Sequence, residues 1–249
     1  MARPRYPKSE GPLPPPLPHE TRTIGQLVAE SVRFYSTHFW RVLPLGLPFA
    51  LDDQLFTGSS RTVAIAATFA GAVLLTISYT AASVLVAPER PPLRALVTAF
   101  VAGFLAYLPF AIPPILVLGL VFPGVAWLAL VGLVVPVAVI ERLGIVAAFR
   151  RAIALARADY VHALGSLATL AIVFFLTRIV LFFLLRGAGQ AADRVAIVLA
   201  DAVIAPVIFV GSALLYFDQR ARVRSSKADG ALPRGKPPAP GPVRHPSSR

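Results

Sequence analysis

Two ionisable residues, Arg178 and Asp201, lie inside apolar stretches of the sequence. An arginine in the middle of a bilayer costs about 2.5–3.5 kcal/mol on insertion scales, so such residues usually pair or line a cavity. Arg178 lies eight residues before Arg186, and Asp201 lies seven residues after Arg194. At 1.5 Å per residue, both are expected roughly 11 to 12 Å below the same loop. We therefore predict an Arg178–Asp201 ion pair, which is either a structural clamp or part of a substrate or ion pathway.

Arginines also concentrate at two ends of apolar runs, beside Glu141 and Asp218. The residues concerned are Arg142, Arg150, Arg151, Arg157, Arg220 and Arg222. Each base near an anionic leaflet contributes about 1 kcal/mol to membrane attraction, and the guanidinium group suits phosphate. These arginines are therefore candidate lipid headgroup contacts. The alternative is that they only set the topology and pair with Glu141 and Asp218.

The other polar residues give little indication of chemistry. Asp52 and Asp53 form an acidic cluster that could bind a cation, but adjacent carboxylates on a helix point in different directions, which favours a solvated loop face. The chain has no cysteine, and its four histidines are scattered. No Walker A, Rossmann, G-x-S-x-G or H-E-x-x-H pattern is present. The sequence therefore predicts no catalytic residue, no cofactor and no metal site, and we expect the protein not to be an enzyme.

The composition of the chain indicates a membrane protein. Of its 249 residues, 56% are hydrophobic and 14% are charged, and the mean hydropathy is +0.71, whereas a soluble domain is about 25% charged. The net charge is +12, but the bases crowd into the tails and no nucleic-acid-binding signature occurs, so no nucleic acid partner is expected. We predict an all-α integral membrane protein. Its expected partners are the bilayer, especially anionic lipids, and an unidentified membrane protein.

Apolar runs of about 20 residues are long enough to cross a bilayer. We predict six transmembrane helices, at about 42–57, 62–87, 95–118, 122–140, 160–185 and 195–217. The Pro-Gly pair at 123–124 is a turn signal that predicts a tight hairpin near 119–124, and Pro113-Pro114 predicts a kink in the third helix.

Two further segments, about 23–39 and 143–158, are amphipathic with basic polar faces. Such helices lie in the headgroup plane, and the alternative is that they are the ends of long transmembrane helices.

Charge placement predicts the topology. Residues 1–22 are rich in proline and residues 223–249 in Pro, Gly, Ser and base, so both are predicted to be disordered tails flanking a polytopic domain over 23–222. Twenty of the 24 basic residues lie on the side of the two termini and three lie in the opposite loops. This bias predicts cytoplasmic N- and C-termini. The preference for arginine over lysine indicates a high-GC bacterial genome, and hence a bacterial cytoplasmic membrane.

Short motifs along the chain resemble those of a prokaryotic membrane family. They are TIGQL at 23–27, VPVAVIE at 135–141, AAFRRA at 147–152 and LLYFD at 214–218. Over roughly residues 23–222 the chain is similar to the membrane-domain family named for glycerophosphoryl diester phosphodiesterase. In some relatives this membrane part is fused to a soluble phosphodiesterase barrel, which it is expected to anchor or regulate, and others stand alone without an established activity.

The resemblance implies a membrane module without the enzymatic activity in the family name. The barrel would need about 250 further residues, and the His and carboxylate clusters of its metal site are missing from the sequence. We therefore predict a non-enzymatic module that organises lipid or a partner protein. The alternative function is a small-solute or ion transporter or channel that uses Arg178 and Asp201.

Overall fold

The computed structural model describes residues 18–56, 60–111, 117–185 and 190–231, and all the regular structure in these ranges is helical, as predicted. Two short 3₁₀ helices cover Leu43–Gly46 and Leu108–Ala111. The α-helices are α1 (Ile24–Thr37), α2 (Phe39–Val42), α3 (Leu47–Phe56), α4 (Arg61–Val86), α5 (Leu93–Tyr107), α6 (Val117–Val131), α7 (Val134–Ile140), α8 (Ile145–Ala158), α9 (Tyr160–Leu185) and α10 (Gln190–Ala231).

Within the described ranges, four helical stretches are long and apolar enough to cross a membrane. They are Ala66–Val86, Pro123–Ile140, Tyr160–Leu181 and Ile197–Ser226. The length and composition of these helices indicate a membrane-embedded protein. Two of the predicted spans correspond to shorter apolar helices, Phe39–Leu51 and Leu93–Tyr107. The first of these is broken by the 3₁₀ turn at Leu43–Gly46, because Pro44 and Pro48 each remove a backbone donor.

The hairpin predicted near 119–124 is wrong. Residues Val117–Val131 form the single helix α6, with Pro123 inside it. A proline removes one hydrogen bond from a helix, whereas a turn in an apolar medium would leave several backbone groups unsatisfied. The helix is interrupted at Gly132, where an added Cβ would lie 2.5 Å from the Leu128 carbonyl oxygen, and it resumes as α7, so Pro123–Ile140 remains one apolar stretch. The predicted kink at Pro113-Pro114 lies outside the described residues.

Helix α10 is the centre of the fold and packs against α1, α3, α4, α8 and α9. Small residues let the backbones approach closely. A Cβ on Gly46 would collide with the backbone of α10 at Ala202, and a Cβ on Gly211 would lie 2.7 Å from the Leu170 side chain. The core is therefore built on close contacts between α10 and the elements around it.

Helices α1 and α8 cover most of the two amphipathic segments, and each buries one face. Thr23 and Gln26 form a capping box that starts α1, with the Thr23 N–H donating to Gln26 Oε1 at 2.8 Å. The buried residues of α1 are Leu27, Ser31 and Tyr35, and those of α8 are Ala148, Ala152, Leu155 and Ala156. The opposite face of each helix stays exposed.

Both predicted disordered tails differ from the structure in their described parts. Residues 18–22 form a turn, with the Thr21 N–H donating to the Pro18 carbonyl at 3.1 Å, and α10 continues to Ala231. Residues 223–231 contain no proline, and extending an existing helix costs little, so disorder was the wrong prediction there. Residues 1–17 and 232–249 lie outside the described part of the chain.

Candidate functional site

A buried polar cluster surrounds Asp218 on α10. The Asp218 carboxylate is fully buried, and its Oδ1 accepts a hydrogen bond from Arg22 Nη1 at 3.1 Å. His19 Nδ1 lies 2.9 Å from the same oxygen, and His162 Nε2 lies 3.8 Å from Oδ2. A buried carboxylate is tolerated only when it is paired. The cluster therefore ties residues 18–22 to the last helix.

Arg222 extends this cluster to the start of α9. Its Nη1 donates to Asp159 Oδ2 at 2.6 Å, and its Nη2 donates to the Arg22 carbonyl at 2.7 Å. Nη2 also lies 3.3 Å from His162 Nδ1. Because a guanidinium can only donate, this contact makes Nδ1 the acceptor, and the His162 proton then lies on Nε2, facing Asp218. We call His19, Arg22, Asp159, His162, Asp218 and Arg222 the Asp218 cluster.

A second polar group joins α7, α8 and α10 through Glu141. Its carboxylate accepts from the Tyr216 hydroxyl at 2.9 Å and from Arg151 Nε at 3.0 Å. Arg220 Nη1 donates to the Tyr216 oxygen at 3.1 Å. The sequence left open that these arginines pair with Glu141 instead of contacting lipid, and the structure shows this pairing for Arg151. Arg222, in contrast, binds Asp159 instead of the nearby Asp218.

Contacts between these elements define one end of the molecule, which we call the charged end. It comprises the turn at 18–22, the 87–92 loop with the start of α5, the end of α7, α8, the start of α9 and the late part of α10. Arg142 donates to Glu89 at 2.7 Å and so links the loop before α5 to the end of α7. The Asp218 cluster and the Glu141 group supply the other links.

The six arginines predicted to contact lipid headgroups divide into two sets. Four already bind protein groups: Arg142, Arg151, Arg220 and Arg222. The other two, Arg150 and Arg157, are exposed on α8, and their side chains make no ion pair or hydrogen bond with the described residues. The same is true of three more exposed arginines at this end: Arg90, Arg94 and Arg224.

Arg178 and Asp201 lie together within the apolar part of the molecule. Arg178 Nη1 is 3.5 Å from Asp201 Oδ1, the Asp201 side chain is fully buried, and the Arg178 side chain is 24% exposed. The next residue after Asp201 is Ala202, on which Gly46 packs. The structure therefore brings the predicted pair together at a tight helix contact. The side chains of Asp52 and Asp53 lie outside the described part of the protein.

Two of the cavities in the described part of the protein have polar residues in their lining. One, of about 90 Å³, lies inside the fold and has Tyr79, Tyr107 and Ser212 in its lining. The other is an open groove of about 610 Å³ between α4 and α5, with Arg41 at its edge. Arg178 and Asp201 line neither of them.

The described residues contain no group of three His, Cys, Asp or Glu side chains placed to hold a metal ion. The absence of catalytic, cofactor and metal residues stays a prediction. None of the protein-family models, curated proteins or solved structures compared with the chain matches it. The geometry of the charged end is therefore the main evidence on function.

Sequence reasoning missed several members of the charged end: His19, Arg22, Asp159, His162 and Tyr216. Local signals existed for some of them. Asp159 precedes α9 and its Oδ1 accepts from the His162 N–H at 3.0 Å, which is a helix-start pattern readable from the sequence. Arg22 lies directly before the Thr23 cap, but no local pattern shows that it contacts a carboxylate 196 residues away.

Proposed function

We propose that this protein is a non-enzymatic polytopic membrane module that organises anionic lipid at its charged end. The observation that carries the proposal is that Arg150 and Arg157 have no protein partner among the described residues. Both are exposed on α8 and unpaired within the described residues, while Glu141 is occupied by Arg151 and Tyr216 and Asp159 by Arg222. Exposed guanidinium groups without protein partners suit lipid phosphate.

The packing of α8 supports a position in the headgroup plane. Its alanine-rich face is buried in the fold, so Arg150 and Arg157 project from the opposite face at the end of the bundle. Val146, next to this face, is 66% exposed. A helix with a basic face and exposed apolar residues suits the boundary between headgroups and acyl chains.

We further propose six crossings, with both termini cytoplasmic. Four are the long apolar stretches. The lengths of α5 and the 3₁₀ turn that follows it add up to about 30 Å, and those of α2, Leu43–Gly46 and α3 add up to about 29 Å. Both lengths match a hydrocarbon core of about 30 Å. The positive-inside bias then places the charged end in the cytoplasm, in a bacterial plasma membrane.

The resemblance to the membrane-domain family belongs to this proposal. It supports a module whose role is to arrange lipid or a partner protein. In this proposal Arg178 and Asp201 form a structural clamp, because the pair lies at a tight helix contact and lines neither of the two cavities.

The proposal is tested by lipid selectivity in reconstituted bilayers. Spin-labelled phosphatidylglycerol and phosphatidylcholine report, by electron paramagnetic resonance, which lipid the protein prefers in its boundary shell. We expect the wild type to prefer phosphatidylglycerol. The Arg150→Gln/Arg157→Gln variant lacks two arginines, each of which contributes about 1 kcal/mol to the binding of an anionic lipid. Each loss should therefore lower the preference for a contacting phosphatidylglycerol by about fivefold.

The control is Arg142→Gln, which removes one positive charge from an exposed residue that already binds Glu89. We expect it to leave the selectivity close to the wild-type value. A wild type that shows equal association with the two lipids, or a double variant indistinguishable from Arg142→Gln, contradicts the proposal.

A further inference from the structure

The open groove between α4 and α5 has an amphipathic lining. Its volume of about 610 Å³ falls in the range of about 300–1,000 Å³ that holds small molecules. Ile77 on α4 and Val97 on α5 line it and are 47% and 56% exposed. The groove therefore opens toward the acyl chains of the surrounding bilayer.

The edge of the groove carries a cation. Arg41, on α2, is exposed and makes no ion pair with the described residues. Its neighbour Trp40 is 81% exposed, and an exposed tryptophan is typical of the membrane–water boundary. Val84 near the end of α4 and Leu96 near the start of α5 also line the groove, so it opens at the charged end.

The groove also contains a polar atom with no partner. Thr80 lines the groove, and its Oγ1 is buried without a hydrogen bond to the described residues. A helical threonine usually satisfies its hydroxyl through a backbone carbonyl one turn earlier, as Thr76 does with Ala72 at 2.6 Å. A buried hydroxyl without a partner costs about 1–3 kcal/mol. Because this oxygen has almost no accessible surface, a molecule in the groove does not reach it, so Thr80 contributes to the shape of the lining and not a hydrogen bond.

We infer that the groove holds one anionic phospholipid, with its phosphate at Arg41 and one acyl chain along Ile77 and Val97. An acyl chain gains no hydrophobic free energy by moving from bilayer to groove, because both are apolar. Retention therefore depends on the Arg41 charge and on the fit of the groove. This inference rests on the lipid-organising function proposed above and adds one specific lipid to it.

The test is native mass spectrometry of the full chain from nanodiscs of equal phosphatidylglycerol and phosphatidylcholine. We expect one phosphatidylglycerol to stay bound to the wild type. Arg41→Gln should lower the retained fraction by about fivefold, the effect of about 1 kcal/mol per base. Val97→Phe should lower it by a similar factor, because the larger side chain fills the groove from an exposed position.

Two control variants make matched changes outside the groove. Val180→Phe adds the same bulk at a residue of α9 that is 54% exposed. Arg33→Gln removes an exposed charge from α1 that has no partner in the described part of the chain. Both should retain the lipid as the wild type does. Circular dichroism of each variant checks that the helical content is unchanged.

Several results would overturn the inference. If Arg41→Gln releases the lipid and Val97→Phe does not, Arg41 belongs only to a diffuse basic surface. If Val97→Phe releases the lipid and Arg41→Gln does not, the headgroup does not bind Arg41. A dimer that Val97→Phe dissociates means that a second copy of the chain occupies the groove.

A lipid lost from both groove variants supports the inference, even when the spin-label experiment shows no preference in the boundary shell. That combination rejects the proposed function alone. Conversely, a boundary preference without a retained lipid rejects the groove inference alone.

Discussion

Removing Arg22 should release helix α1 from the bundle. Arg22 lies directly before the helix cap, and its side chain binds Asp218, which is fully buried. Arg22→Leu leaves that carboxylate without its arginine. We therefore expect α1 to lift from α9 and α10 far more often than in the wild type.

The burial of both partners sets the size of the effect. Arg22 has 6% of its side chain exposed and Asp218 has none. Removing one partner of a buried ion pair costs about 3–5 kcal/mol, whereas replacing both partners by apolar residues is close to neutral. Each 1.4 kcal/mol changes an equilibrium constant tenfold. Arg22→Leu should therefore increase the fraction of molecules with α1 undocked by a factor of roughly 10² to 10³·⁵. The Arg22→Leu/Asp218→Leu variant should recover most of this loss.

The assay uses the absence of cysteine from the chain. Ser31 lies on the buried face of α1 and has no exposed surface, so Ser31→Cys provides a thiol that reacts only when α1 lifts. In mild detergent, the alkylation rate of this thiol reports the undocked population. The matched control is Arg33→Leu, because Arg33 lies on the same helix, is exposed and has no side-chain partner among the described residues. Equal alkylation rates in the Arg22 and Arg33 variants would refute the reasoning.

Three further predictions concern stability, measured by unfolding in mixed micelles. Gly46→Ala should destabilise the fold by at least about 1–3 kcal/mol, because the added methyl group collides with the backbone of α10; wild-type stability would contradict the close packing. Arg178→Leu and Asp201→Asn should show a coupling of about 0.5–3 kcal/mol in a double-mutant cycle, and additive losses would argue against the pair. Burial raises the pKa of Tyr35, so above about pH 10 the tyrosine of the unfolded chain ionises first and stability falls as the pH rises. Tyr35→Phe should reduce that fall, and an identical pH profile would count against this cause.

The long helices could be predicted from the sequence because the bilayer leaves few alternatives. The predicted span 62–87 corresponds to α4 at Arg61–Val86, and 160–185 corresponds to α9 at Tyr160–Leu185. A long apolar run can satisfy its backbone in lipid only as a helix or in a closed barrel. The prediction failed at Pro123, where a turn rule derived from soluble loops was applied to a segment that remains helical.

The candidate site was predictable only where chain connectivity placed two residues together. Arg178 and Asp201 lie at similar depths on helices that follow each other, so their contact follows from simple arithmetic. Arg222 lies four residues after Asp218, a spacing that favours pairing on a helix, yet it binds Asp159. Which anion a surface arginine meets depends on how distant helices pack, and no local pattern in the sequence contains that information.

The contact between Arg22 and Asp218 also has a consequence for synthesis. The two residues are 196 positions apart, and ribosomes add about 5–20 residues each second. Asp218 is therefore synthesised roughly 10 to 40 s after Arg22. During this interval α1 lacks the surface of α10 on which it packs, so its apolar face must be covered by lipid or by another protein. Once α10 has been inserted, α1 can dock on it and Arg22 can bind Asp218.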